Sequence, residues 1–297
     1  MITDWYEYRL INGSIVNMIN NLDEPNMKRV VRHVFDSGGK RIRPIILVLC
    51  SELFGGDADE CVDAALAIEL IHSASLIHDD ILDMGITRRG VPSVHAQFGL
   101  AAAILCGDFL LSKSIELISK YDRAVIQDFG RAGMSMAEGE AVDIGSRENN
   151  FSEENYLGCI DKKTASLFAA SACMGSRVGG ASTRSVSQCA AFGMHLGMAY
   201  QIVDDILEYK ELQHEKKSMN PSTTLPHILS AVSTTDDAVN RSITEMQHHV
   251  DESRRILDSF NESDAPGISD VRGKLLKIVD YMTLDLIEDV GTPTVPK

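Results

Sequence analysis

Apolar residues recur at helical intervals along most of this chain, and no alternating pattern bounded by turn signals marks a strand. The clearest run covers 57–83, where Ile68, Ile71, Leu76, Ile77 and Ile81 keep the spacing of a buried helix face. Similar patterns predict helices over 4–22, 26–36, 96–119, 123–145, 152–178, 184–209, 225–233, 236–262 and 268–290. A further apolar run, Ile45–Cys50, follows Pro44, which is tolerated in a first helical turn. Ser152 is a predicted N-cap, with Asn155 in the weaker partner role of a capping box. Residues 85–92 and the polar, charged stretch 210–224 read as loops, the second a candidate lid. The expectation is one all-α domain over 1–290, with a frayed tail over 291–297.

The helix over 57–83 ends in Asp79, Asp80 and Asp83. Asp79 and Asp83 are four residues apart and project from one face, with Asp80 about 100° round the axis. Like charges at this spacing repel by roughly 0.2–0.5 kcal/mol. They also lie late in the helix, where the macrodipole is already negative. Local energetics oppose the cluster, so it is either a solvated helix end or the seat of a cation. The pattern occurs twice: Asp204, Asp205 and Glu208 end the apolar run Phe192–Val203 in the same way. A pair of such clusters favours a hard divalent cation with oxygen ligands; Mg²⁺ is usually held by one or two carboxylates plus phosphate.

Net charge is −15, which argues against a nucleic-acid partner. Any anionic substrate then needs local cations or metal. Those cations are few and placed. Lys40 and Arg43 flank a predicted helix start behind Gly38 and Gly39, a phosphate site or a solvated basic helix start. Arg88 and Arg89 follow the first acidic cluster, either paired to Asp79 or Asp83 or holding phosphate. Lys163 and Thr164 sit at the top of an apolar helical segment, where a lysine either contacts ligand or snorkels to solvent. Hydrophobic residues make up 44% of the 297, enough for a sizeable core. The six cysteines form no C-x-x-C pair and fit a reducing, cytoplasmic compartment. The N-terminus is not a signal peptide, and no apolar run approaches the ~20 residues of a membrane span.

Taken in order, Gly38-Gly-Lys-Arg-Ile-Arg-Pro44, His78-Asp-Asp-Ile-Leu-Asp83 with Arg88-Arg89-Gly90, Lys163-Thr164 and Tyr200-Gln-Ile-Val-Asp-Asp205 resemble the motifs of trans-type polyprenyl diphosphate synthases, from about residue 36 to 227. The resemblance implies an antiparallel helical bundle around a deep central cavity, usually a homodimer. It implies condensation of isopentenyl diphosphate with an allylic diphosphate, with two or three Mg²⁺ ions. Asp79, Asp83 and Asp204 are the implied metal ligands, with Asp80 and Asp205 in support. Lys40, Arg43, His72 and Arg89 would bind isopentenyl diphosphate, and Arg88, Lys163 and Lys217 the allylic diphosphate. Thr164 and Gln201 would point dipoles at the forming carbocation.

Three positions depart from the family pattern. Glu208 replaces an aspartate, Glu140 replaces the glutamine after Gly139, and the loop around Lys217 is shortened. Product length is implied by residues four and five before the first aspartate, here Ser75 and Ala74. Both are small, so the floor of the cavity falls to Ile71, one turn or ~5.4 Å deeper. That implies a product of about 20 to 25 carbons or longer, given a floor one turn down. Three rivals stand beside this reading. A class I terpene cyclase would not need a second diphosphate pocket. A catalytically silent subunit would tolerate the three departures. A di-iron bundle would use Glu-x-x-His pairs such as Glu69/His72, Glu211/His214 and Glu245/His248.

Overall fold

The computed structural model describes residues 1–146, 151–215, 224–260 and 268–288. A single 3₁₀ turn, Ile2–Asp4, leads into α1 (Tyr6–Asn20), α2 (Pro25–Asp36), α3 (Ile42–Glu52) and α4 (Ala58–Leu82). A two-residue hairpin follows, β1 (Thr87–Arg88) against β2 (Val91–Pro92), antiparallel. Then come α5 (Val94–Phe98), α6 (Leu100–Ile118), α7 (Arg123–Ser146) and α8 (Glu153–Ile160). A π-helical turn, Asp161–Ala165, joins α8 to α9 (Ser166–Val178). The chain continues through α10 (Thr183–Glu215), α11 (Leu225–Ser230), α12 (Thr235–Asp258), α13 (Ile268–Met282) and α14 (Leu284–Glu288). The all-α class stands as expected.

α3 is the axis of the core. Every residue of it from Pro44 to Ser51 is buried, because α4 covers one side and α9 the other. α6 backs α4, while α10 packs on α9 and is itself covered by α12. Between α10 and α12, His195 Nδ1 and His249 Nδ1 lie 2.8 Å apart. An ion pair between Arg41 and Glu69, both nearly fully buried, ties the start of α3 to α4 at 2.6 Å.

Several boundaries differ from the sequence reading. The stretch over 96–119 is two helices, because Gly99 has φ of +86°, a conformation that glycine adopts without strain. The stretch over 152–178 is interrupted by the π turn. Ser152 does cap α8, accepting the Asn155 N–H at 3.2 Å. α10 runs six residues beyond Tyr209, so 210–215 is helix and not loop; its charged residue types are good helix formers. The hairpin within 85–92 is strand that the sequence reading left out. The remainder of the candidate lid, with Lys217, and the tail over 291–297 lie outside the described residues. α4 also has the length and hydropathy of a membrane span, against expectation. Its apolar window is 67% buried inside the bundle, which makes it the core helix of the fold.

Candidate active site

The end of α4 and the later part of α10 carry the two acidic clusters, and in each cluster one carboxylate turns inward. Asp80 is buried and accepts from Arg88 Nε at 2.9 Å to both oxygens, with Arg88 Nη2 at 2.8 Å. Arg88 is thus held by Asp80. Burial disfavours its charge, but the Asp80 hydrogen bonds and charge outweigh this and raise its pKa. Asp205 is buried likewise. Its Oδ2 accepts from the Tyr156 hydroxyl at 2.6 Å and the Leu225 N–H at 3.2 Å, and its Oδ1 from Gln201 Nε2 at 2.9 Å. Both carboxylate oxygens of Asp205 thus accept hydrogen bonds from the surrounding helices.

Asp79, Asp83, Asp204 and Glu208 form the outer set. Burial, then the neighbouring Glu140 charge, push the Asp79 carboxyl up to about 7, against opposing pulls from Lys163 and Arg88. Asp204 is solvent-exposed on α10, yet loss of hydration at its carboxyl and then the Glu208 charge raise its pKa. The Lys40 charge opposes that shift.

The basic groups line the approach from α3. Lys40 lies outside the helix, which begins at Ile42 after Arg41 in a left-handed conformation. It therefore does not share a helix face with Arg43; its ammonium sits 4.6 Å from the Tyr281 ring. Arg43 stacks on Phe168 at 4.3 Å and donates from Nη1 to His72 Nε2 at 3.1 Å. Its Nε is buried with no acceptor among the described residues. Burial, then Arg43 and its neighbouring arginines, hold His72 neutral, with a pKa well below the usual imidazole value. Glu69 and His72 thus each face a guanidinium, which removes that pair from any di-iron reading. Arg89 takes positive φ and donates to the Gly38 carbonyl, joining the hairpin to the glycine turn.

Lys163 and Thr164 are presented by the π turn, a form frequent at functional sites. The turn abuts α7 at Gly139, where any side chain would collide with the Lys163 backbone. Lys163 Nζ lies 2.7 Å from both Glu140 Oε2 and Asp143 Oδ2. Burial lowers its pKa, but these carboxylates outweigh burial and raise it. Thr164 donates its hydroxyl to Gln201 Oε1 at 2.7 Å. Since Gln201 Nε2 is held by Asp205, the amide cannot flip without losing both bonds.

The proposed floor residues lie on α4 below Asp79. Ala74 is fully buried, and Ser75 donates to the His72 carbonyl at 2.9 Å. Ile71 is 6% exposed and its Cδ1 reaches toward Gly133 of α7. Two residues of this site were missed by the sequence reading, Arg41 and Tyr156. Glu69 was the available signal for Arg41, because a carboxylate on an apolar helix face requires a cation. Nothing near Tyr156 in sequence pointed to Asp205.

Residues 24–258 match the polyprenyl synthetase family. The geranylfarnesyl diphosphate synthase of Methanosarcina mazei is 47% identical over 289 residues, covering 97% of this chain and 96% of that protein. The geranylgeranyl diphosphate synthase of Sulfolobus acidocaldarius is 40% identical over 66% of this chain and 64% of that protein. The crystal structure of a geranyltranstransferase from Methanosarcina mazei superposes with a TM-score of 0.84 at 46% identity, covering 97% of this chain and 100% of that one. With the two acidic clusters and the basic entrance already in place, the chain belongs to the polyprenyl synthetase family and is a chain-elongating trans-prenyltransferase.

Proposed function

We propose that this enzyme elongates a geranyl or farnesyl diphosphate primer with isopentenyl diphosphate and makes geranylfarnesyl diphosphate. The observation that carries the product length is the pair of small residues, Ala74 and Ser75, above Ile71. The relative named for that product, 47% identical over nearly the full length, supports it.

Mg²⁺ is the implied metal, and the residues fit it. The outer donor set is all carboxylate, Asp79 has a carboxyl raised by burial and by its neighbours, and Glu140 Oε1 is buried with no donor among the described residues. Asp79, Asp83 and Asp204 would hold two or three ions. When bound, the metal neutralises charge as it grows on the leaving diphosphate.

This chain's own residues carry the rest. Arg43, Lys40 and Arg89 bind the diphosphate of the isopentenyl substrate, and the unpaired Arg43 Nε is one donor ready for it. Neutral His72 orients Arg43. Arg88, set by Asp80, and Lys163, set by Glu140 and Asp143, face the allylic diphosphate, with Lys217 as a further cation. Such fixed cations stabilise charge as it develops, without reorganising. The allylic carbon–oxygen bond breaks, the isopentenyl double bond attacks the cation, and a proton is lost to the departing diphosphate. The Thr164 and Gln201 oxygens direct their dipoles at the cation, held by Asp205 and Tyr156. The apolar wall keeps water from quenching it.

The same reading includes a homodimer in the cytoplasm. Leu100, Leu105, Ile115 and Met134 leave large apolar surfaces exposed on α6 and α7, which a second copy would cover. All six cysteines are free and buried, in keeping with a reducing compartment. Sedimentation of the purified protein tests the dimer.

The activity test is incubation with Mg²⁺, labelled isopentenyl diphosphate and each of dimethylallyl, geranyl, farnesyl and geranylgeranyl diphosphate. A chelator-sensitive product of geranylfarnesyl length is the expected result. A product that stops at farnesyl would overturn the chain-length assignment, and no elongation with any primer would favour a silent subunit.

A further inference from the structure

The hairpin that carries Arg88 and Arg89 is too small to hold its own position. Its strands are two residues each, with Thr87 opposite Pro92 and Arg88 opposite Val91. A lone hairpin is marginally stable at best. Its turn is Arg89-Gly90, with φ of +51° and +79°, the signs of a type I′ turn. Close packing does not fix it either. A cavity of about 40 Å³ lies between the hairpin, α2 and α4, lined in part by Val34, Leu76, Ile77 and Val91.

Discrete contacts therefore set where the hairpin lies. Arg88 is tied to Asp80 of α4. Arg89 donates to the Gly38 carbonyl, just beyond α2. A further contact comes from His33 of α2, whose Nε2 lies 2.8 Å from the Pro92 carbonyl oxygen at the end of β2. A carbonyl only accepts, so His33 Nε2 carries a proton and donates it. The His33 ring stands edge-on to Phe98 of α5, with centroids 5.1 Å apart, which fixes its plane. His33 and Gly38 belong to one piece of chain. The Ser37 N–H donates to the His33 carbonyl at 3.3 Å and the Gly38 N–H to the Phe35 carbonyl at 3.1 Å. This piece thus grips the hairpin at two points, the end of β2 and the turn. With the His33 bond gone, the hairpin pivots at the turn and Arg89 loses a fixed direction.

Resting on the assignment of Arg89 to isopentenyl diphosphate, we infer that His33 is a positioning residue for that substrate. It acts through the hairpin and not on the substrate itself. By holding β2 it aims the remaining Arg89 N–H groups at the phosphate in one direction. Arg88 keeps its own anchor on Asp80, so binding of the allylic diphosphate depends on His33 far less.

The test is steady-state kinetics of the full chain, varying isopentenyl diphosphate at saturating geranyl diphosphate and then the reverse. His33→Phe keeps a ring for Phe98 and removes the donor. His33→Gln drops the ring but carries an amide nitrogen as many bonds from Cα as Nε2. In His33→Phe the KM for isopentenyl diphosphate should rise by about 3- to 10-fold, the range of one lost hydrogen bond, with kcat and the KM for geranyl diphosphate nearly unchanged. His33→Gln should recover most of that loss. Arg29→Met loses the contact with Phe98 at 5.3 Å, keeps the His33 donor and should stay near the wild type. Thermal unfolding checks that each variant folds, and His33→Leu replaces His33→Phe if the new ring overpacks. An unchanged KM for isopentenyl diphosphate in the donor-less variant would overturn the inference. So would an equal rise in both KM values, no recovery in His33→Gln, or the same rise in Arg29→Met. If Arg89→Gln also left the KM for isopentenyl diphosphate unchanged, the assignment of Arg89 itself would fall, which separates the two failures.

Discussion

The Tyr156 hydroxyl donates to Asp205 Oδ2 across 2.6 Å, in the interior between α8 and α10. Burial pushes the Asp205 carboxyl up to about 7, against the lowering effect of its three hydrogen bonds. At pH 8 it is mostly ionised, and the phenol is one of its three donors. A hydrogen bond to a buried charged group contributes about 1.5–3 kcal/mol. Tyr156→Phe should lower the unfolding free energy at pH 8 by that amount, measured by denaturant titration. Turnover should fall with it, because Asp205 fixes the amide of Gln201. A variant with unchanged stability at pH 8 would show that the phenol only fills space.

The ion pair of Arg41 and Glu69 is the strongest candidate for a single-residue collapse of the site. Both side chains are about 5% exposed or less, and they are 2.6 Å apart. Removing one member leaves the other charge buried without a partner, which typically costs 3–5 kcal/mol, about the scale of a marginal domain's stability. Glu69→Ala should therefore destabilise strongly. Replacing both by well-packed apolar residues should recover much of the loss, since a buried pair as a whole contributes little net. Thermal unfolding of the two variants, compared side by side, checks both statements. Equal midpoints for the single variant and the wild type would contradict them.

The helical frame and the two acidic clusters on their helices were legible in the sequence because their cause is local. Spacing along one helix decides which residues share a face, and α4 came out within one residue at each end. The inward turn of Asp80 and Asp205 was not legible. In sequence, Asp79 and Asp80 differ by one step; in the fold, Asp80 meets Arg88, while Asp79 feels the charges of Glu140 and Lys163. Tyr156 is 49 residues from Asp205, and no local pattern encodes that distance. The break at Gly99 and the π turn were missed for another reason. Both leave hydrophobic spacing almost unchanged, since an apolar pattern tolerates a one-residue slip better than a backbone does. The extension of α10 over 210–215 was missed because its charges were read as loop, although a solvated helix end can be as polar as a loop.

Glu52 sets a pH dependence of stability. Burial, then Glu7, raise its carboxyl from the ordinary glutamate value to about 7. Glu7 is buried, holds Lys274 at 2.9 Å, and has a second oxygen, Oε2, without a donor among the described residues, one that a protonated Glu52 can supply. The folded-state pKa lies above the unfolded one, so the folded chain binds a proton that the unfolded chain releases. The stabilising contribution is complete below about pH 4.5 and is lost as pH rises through 7. Between these limits, stability contributed at this cluster falls with rising pH. Glu52→Gln mimics the protonated form and should flatten that part of the curve. Denaturant titrations from pH 5 to about 8 measure it, and an unchanged slope in the variant would remove Glu52 as the cause.

Product length follows from which side chain ends the cavity along α4. Ala74 is fully buried, and on the proposed floor a phenylalanine there would occupy the path of the growing chain. Overpacking of this kind costs about 1–3 kcal/mol, which the fold can bear if the ring swings into the cavity. Ala74→Phe should then give a shorter product than the wild type, with elongation still running. Ile71→Ala works in the opposite sense. Its Cδ1 reaches toward Gly133 on α7, so truncation opens the contact that closes the floor. The product should lengthen by at least one isoprene unit, while the KM for isopentenyl diphosphate stays near the wild-type value, because Arg43 and His72 are untouched. Sizing the dephosphorylated products of both variants decides the matter. If Ala74→Phe and Ile71→Ala both left the product distribution unchanged, the stop would lie on another helix.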